Sequence, residues 1–243
     1  MRYLLAAAVS ILVVCQPAGF AQSQAGFLAP APALAAPVVN QPYSAELVAT
    51  SVRPLADGTS VTRTVPNLLL YRDSAGRTRT DGPILVNPET GAQTLAMVVI
   101  VDPVEGFQYV LDPRLRVAHR RRLEAPAPPD SRAGASPAPP AVPLQVTAEP
   151  LGSDWIESVP VEGTRLTVSQ AATGGAAQVL SRTEYWTSPD LGEMVLRRQA
   201  NPDGGEASNR LIHILRAEPD LALFHPPAEY RVVDETADFR IVP

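Results

Sequence analysis

Between positions 179 and 216, short runs of β-branched, aromatic and long apolar residues alternate with groups of turn formers. The groups are Ser188-Pro189-Asp190-Leu191-Gly192 and Asn201-Pro202-Asp203-Gly204-Gly205. Proline presets one turn dihedral and glycine supplies a positive φ, so each group reverses the chain at little steric cost. The spacing predicts an antiparallel meander of three strands, ending in Asn209-Arg210-Leu211-Ile212-His213-Ile214-Leu215-Arg216.

Similar patterning runs from 43 to 122. Turns bearing glycine recur at Asp57-Gly58, Ser74-Ala75-Gly76, Glu89-Thr90-Gly91 and Glu105-Gly106. Each interval fits one strand and its turn. In the first strand, Tyr43, Ala45, Leu47 and Ala49 share a face by period two. The second is expected to bend at Pro66, with Leu68-Leu69-Leu70-Tyr71 buried on both sides or straddling a bulge. The run 94–101 is the most apolar beyond the leader and predicts a central strand of eight residues. Around Asp112-Pro113-Arg114 the reading is divided, because Asp followed by Pro also starts helices. Leu115, Val117 and His119 alternate with arginines and favour a strand. Strand patterns resume at Trp155-Ile156 and 159–168. A short helical turn is expected at 218–224, ended by His225-Pro226-Pro227, and Tyr230-Arg231-Val232-Val233 reads as a closing edge strand.

Composition changes this picture in three ways. The 26 prolines oppose long helices, which makes the class all-β: a single large curved antiparallel sheet of roughly ten strands. Prolines also concentrate in two Ala/Pro-rich stretches, an arm at 22–42 and an excursion or linker at 124–143. Neither stretch buries enough apolar area to offset its ordering entropy. One β domain over 43–243, interrupted by 124–143, is therefore expected. Finally, Arg2, the apolar run 4–14 and Gly19-Phe20-Ala21 form an export signal cleaved after Ala21, so the protein is expected in the periplasm or secreted. The single cysteine, Cys15, lies inside that signal, and the bulky Val14 before it opposes lipoprotein processing. The mature chain then has no disulfide, thiolate nucleophile or cysteine metal site.

Candidate chemistry is sparse. Net charge is −5, so the overall balance gives no case for nucleic acid. All 20 basic residues are arginine. The sequence has no His-Glu-x-x-His, Gly-x-Ser-x-Gly, phosphate loop or dinucleotide fingerprint. Gly174-Gly175 precedes no helix pattern. His119, His213 and His225 lack ligand spacing, and His213 reads as a hydrogen-bonded sheet histidine. No catalytic residue, metal or cofactor is expected. Glu184, Asp190 and Glu193 recur across one hairpin, where Glu184 is expected to pair with Arg197 or Arg198 across the strands. His119-Arg120-Arg121-Arg122 is the one dense basic patch: either a solvated strand end or a contact for anionic lipid or envelope polymer.

Two stretches carry a resemblance. Leu151-Gly152, Glu184-Tyr185-Trp186-Thr187-Ser188-Pro189-Asp190-Leu191 and Arg210-Leu211-Ile212-His213-Ile214-Leu215-Arg216 resemble a group of uncharacterised exported bacterial proteins. Asp102-Pro103-Val104-Glu105-Gly106-Phe107 in the first half is similar to the same group. The meander with its terminal Asp-x-x-Leu-Phe-x-x-Pro pattern also resembles the periplasmic lipoprotein-carrier superfamily. That resemblance implies a half-barrel whose concave face holds acyl chains, a face those carriers cover with amphipathic helices. No such helix pattern occurs here. On this reading Leu69, Val99 and Trp186 line the concavity and bind a hydrophobic ligand or lipid. The alternatives are an envelope protein–protein interaction module and, last, a hydrolase of envelope material.

Overall fold

The computed structural model describes residues 27–28, 36–86, 90–91, 93–124, 144–170, 177–200 and 204–241. The expected signal, most of the arm and almost all of the excursion at 124–143 lie outside the described residues, as does Gly174-Gly175. Among the described residues there are sixteen strands and one short 3-10 turn. In the first half these are β1 (Phe27–Leu28), β2 (Tyr43–Pro54), β3 (Ser60–Arg72), β4 (Thr78–Asp81), β5 (Ile84–Val86), β6 (Gln93–Leu95), β7 (Val98–Asp102), β8 (Phe107–Asp112) and β9 (Val117–Arg122). In the second they are β10 (Leu144–Ile156), β11 (Val159–Gln170), β12 (Gln178–Ser188), β13 (Glu193–Ala200), β14 (Glu206–Leu215), β15 (Arg231–Asp234) and β16 (Arg240–Ile241).

Twelve of them form one sheet in the order β10-β11-β12-β13-β14-β2-β3-β4-β7-β8-β9-β15. The expected all-β class and the single large open sheet through both halves are present. The meander follows its turn residues closely, and β2 buries Tyr43 and Ala45 while Leu47 packs beside them. The expected bend at Pro66 falls at a register shift, where pairing passes from Leu47–Leu68 to Ala49–Val65. Among the described residues β14 pairs with β2 from Glu206–Val52 to Leu215–Ser44, which joins the halves edge to edge.

Three expectations need correction. The apolar run 94–101 is not one strand. Ala96 and Met97 interrupt it, because Gly82 N–H donates to the Met97 carbonyl and Ala96 N–H to the Pro83 carbonyl. That crossing sets β5 and β6 aside as a separate two-stranded ribbon. The strand expected from Leu115 begins at Val117, since 113–116 form a turn. Asp112 accepts from the N–H groups of Arg114 and Leu115, at 2.9 and 3.0 Å, as Asp102 does from Val104 and Glu105 in the preceding turn. Aspartate before proline thus caps two turns here and no helix. Lastly, the closing edge strand is parallel to β9, with Arg231 opposite Val117. The chain reaches it by crossing the sheet from β14, so it arrives from the same end as β9.

That crossing segment, 216–230, acts as a strap. It contains the expected turn, Leu221–Phe224, whose N-cap Asp220 accepts from Ala222 N–H. The turn packs on β4 and β7. Phe224 is 0% exposed and lies against Val98, Ile100, Tyr109, Leu111 and Ala118. By register these residues share one face, because Val98 opposes Leu111, Leu111 opposes Ala118, and Ile100 opposes Tyr109. The opposite face is covered by the tail, where Phe239 and Ile241 pack with Met97, Val99 and Val110. The run Gln108 to Asp112 is therefore buried throughout, like a strand covered on both sides.

Because Phe224 fills an aromatic-sized seat with no solvent contact, Phe224→Ala is expected to cost about 3–5 kcal/mol. Chemical denaturation read by tyrosine and tryptophan fluorescence checks this. A loss under about 1 kcal/mol would mean that the seat collapses or was never filled.

Candidate functional site: a charged ladder beside an open edge

A broad surface depression lies on the second half. It measures about 540 Å³ and is lined by Glu149, Arg165, Thr167, Arg182, Glu184 and Arg198. Register explains its composition. Glu149 on β10 opposes Arg165 on β11, Arg165 opposes Glu184 on β12, and Glu184 opposes Arg198 on β13. Directly opposed residues share a face, so four charges of alternating sign form one row across four strands. Arg165 donates to Glu184 at 2.8 Å and to Glu149 at 3.1 Å. Arg198 lies 3.8 Å from Glu184 and 3.3 Å from Glu206. The hydrogen bond to Glu184 holds the Arg165 guanidinium above its usual range. Arg182, one pair along and opposite Thr167 and Ala200, has no ion pair with a described residue. The expected Glu184–Arg198 pairing is present; the rest of the ladder depends on a register that no local pattern announces.

The three residues expected to line a concavity do not meet. Leu69 opposes Asp81, and Asp81 opposes Val98, so Leu69 shares the strap-covered face. Val99 points to the other face, where Met97, Val110 and Ile241 cover it. Trp186 lies in the second half against the cluster of Tyr43, Val159, Val161, Leu191, Val195 and Leu211. Its ring covers Gly163, where an added Cβ would come within 2.7 Å of it. A second depression of about 350 Å³ lies between the strap and β8–β9, bordered by Tyr109, Arg120, Pro226, Pro227, Tyr230 and Asp234.

Much of the basic run is engaged by the chain's own tail. His119 Nδ1 is 2.7 Å from Glu235, and its ring stacks on Phe239. Arg120 forms two hydrogen bonds to Asp234, at 2.6 and 3.0 Å. Arg121 donates to the Ala237 carbonyl and lies over the Phe239 ring, 3.5 Å from Asp238. Arg122 lies over Phe107. The charges that suggested an anionic surface hold strand β15 and the tail to β9.

The carboxylates of the β12–β13 hairpin take separate partners. Glu184 pairs with Arg165 and Arg198, Asp190 with Arg216, and Glu193 with Arg72. His213 is mostly exposed at a register shift of β14, with φ of 53°, and its Nδ1 lies 2.9 Å from Glu46. His225 ends the strap turn. Among the described residues no group of three or more His, Cys, Asp or Glu is placed to hold a metal ion. No described helix is long and apolar enough to cross a membrane.

No protein-family model matches the chain. No curated protein matches it significantly either. Several solved structures do. An uncharacterized conserved protein from Thermus thermophilus is 11% identical over 80% of this chain and 91% of that one, with a TM-score of 0.40. In the MucA/MucB complex of Pseudomonas aeruginosa the matched chain is 14% identical, over 80% of this chain and 58% of that one, with a TM-score of 0.37. A LolA superfamily protein from Nitrosomonas europaea is 7% identical over 77% of this chain and 91% of that one, with a TM-score of 0.28.

Two outcomes follow from these contacts. Gly163→Ala forces the Trp186 ring and Leu151 apart and is expected to cost about 1–3 kcal/mol in urea unfolding; an unchanged midpoint would remove Trp186 from that position. The second concerns acid. Hydrogen bonding to Arg120 holds the Asp234 carboxyl below the usual range. A depressed carboxylate contributes stability that is present above its unfolded value, near about pH 4, and lost as pH falls through the folded one. Amides of Arg231–Asp234 should therefore lose hydrogen-exchange protection on acidification before those of Val98–Asp102. Simultaneous loss would contradict this.

Proposed function

We propose that this is an exported, non-enzymatic binding protein of the bacterial envelope that engages a partner protein through the charged ladder of its second half. The observation that carries this reading is the filled apolar face. Phe224 fills the apolar face formed by Val98, Ile100, Tyr109, Leu111 and Ala118, and its seat has no solvent contact. The broad open depression is instead lined by charged side chains, with Arg182 and the outer edge of Glu149 turned to solvent. Such a surface suits a polar, sequence-specific contact, because alternating charges reward one register and penalise others. The export signal expected at 1–21 supports that compartment.

A second reading keeps the hydrophobic ligand. The depression of about 350 Å³ lies beside the strap and is bordered by Tyr109 and Tyr230. A strap displaced from β4 and β7 would open Phe224's seat to an apolar chain. It ranks second because the seat is occupied.

Affinity capture with cross-linking in the native envelope tests the first reading. Arg182→Glu, at a position without an ion pair to a described residue, should reduce recovery of the captured partner at least tenfold without changing the melting temperature. Raising salt should weaken the complex, since the screening length falls from about 8 Å at physiological salt to about 3 Å at 1 M. Capture indifferent to both charge reversal and salt would exclude the ladder.

A further inference from the structure

The sheet ends in two unlike edges. At one end β15 is four residues long, carries Arg231 and Asp234 at its limits, and is tied down by Arg120. Short, charged strands are a usual defence against edge-to-edge pairing. At the other end β10 runs for thirteen residues, and all but Leu151 and Ile156 are exposed. Its second half is defended. Glu149, Pro150, a register shift between Pro150 and Gly152, Gly152 at φ 88° and Asp154 all disfavour another strand there. The first half, Leu144-Gln145-Val146-Thr147-Ala148, has no charge, no proline and no register shift. Leu144 and Val146 are 58% and 60% exposed.

This open half has a symmetric pattern. Leu144, Val146 and Ala148 point to one face by period two, and Gln145 and Thr147 to the other. On a two-fold axis through Val146, an antiparallel mate sets Val146 opposite Val146, Leu144 opposite Ala148, and Gln145 opposite Thr147. Every opposed pair is apolar with apolar or polar with polar. The band Val146–Val168 on the apolar face then continues into the second copy. A slip of one residue in either strand places apolar against polar faces. Centring on Thr147 instead brings Pro150 opposite Leu144, where a donor is missing. The register through Val146 keeps both Glu149 and Pro150 outside the paired stretch.

We propose that residues 144–148 of β10 pair antiparallel with the same residues of a second copy of this chain, making one sheet continuous across a two-fold axis. An isologous contact of this kind requires a self-complementary patch, and closes at two copies. It does not depend on the ladder's partner, because Arg165, Glu184 and Arg198 stay on the open face.

Cys15 is the only cysteine, so a Cys15→Ser chain offers a clean background for thiol mapping. Directly opposed Cβ atoms lie about 4.5–5.5 Å apart, close enough to oxidise after a small movement. Val146→Cys in that background should give a disulfide-linked dimer under mild oxidation. Ser153→Cys, on the same strand but roughly 45 Å from its mate in this register, should not. Sedimentation of the Cys15→Ser chain should show a dimer that grows with concentration. Val146→Lys, which opposes two like charges on the axis, should abolish it at unchanged melting temperature. The proposal is overturned if the chain is monomeric at every concentration, or if both thiols cross-link equally. It is also overturned if the dimer survives Val146→Lys, or if the edge takes up only an unrelated extended segment.

Discussion

The two halves are joined by the pairing of β14 with β2 and by Arg72, which bridges β3 and the β12–β13 turn, and the remaining structure is built on that junction. Arg72 is almost fully buried at the end of β3. Its guanidinium donates to the carbonyl of Gln41 at 3.0 Å, to the carbonyl of Leu191, and to Glu193 at 3.4 Å. It also lies 4.7 Å from the centre of the Tyr43 ring. A buried guanidinium is tolerated only when its donors are satisfied, and here two backbone carbonyls satisfy it besides the carboxylate. Burial pushes the Glu193 carboxyl above its usual range, and burial likewise raises the Tyr43 phenol. One side chain thereby ties the first-half strand β3 to the arm and to the β12–β13 turn. The arm is held closely: a Cβ at Gly76 would come within 2.9 Å of Pro37, and one at Gly192 within 2.9 Å of Gln41.

Once the halves are joined, the described residues that follow β14, 216–241, finish the first half. The strap covers one face through Phe224, and the tail covers the other through Phe239 and Ile241. The basic run of β9 makes this possible, since its side chains meet Asp234, Glu235 and Asp238 in succession. A short aromatic strap thus covers the apolar face of β4 and β7 from within the chain. This shifts the functional reading from a ligand inside the sheet to a partner on its surface.

Turn chemistry made much of this legible. Ser188-Pro189-Asp190-Leu191-Gly192 and Asn201-Pro202-Asp203-Gly204-Gly205 delimit β12, β13 and β14 to within a few residues, because proline and glycine act locally. Asp220 likewise announces its 3-10 turn. What stayed hidden was set by register and by distant pairing. Nothing local to Leu69 or Val99 shows that they lie on opposite faces, since that depends on how β3, β4 and β7 align. Nor does the pattern around Thr94 to Val101 show that Gly82 and Pro83, in the link between β4 and β5, interrupt it. In the ladder, Glu149 and Arg198 lie in strands β10 and β13, so only the hairpin pair of Glu184 and Arg198 could be anticipated. The basic run was conspicuous, but its acidic partners sit more than a hundred residues away.

Closure of the strap-covered face in the cell decides between a partner on the surface and a ligand inside the sheet. Native mass spectrometry of protein released gently from a bacterial envelope reads this directly. A chain whose Phe224 seat is filled from within should appear at its polypeptide mass, or at twice that mass, with no acyl lipid attached. A stoichiometric acyl adduct that disappears when the strap is anchored to β7 by an engineered disulfide would contradict the account.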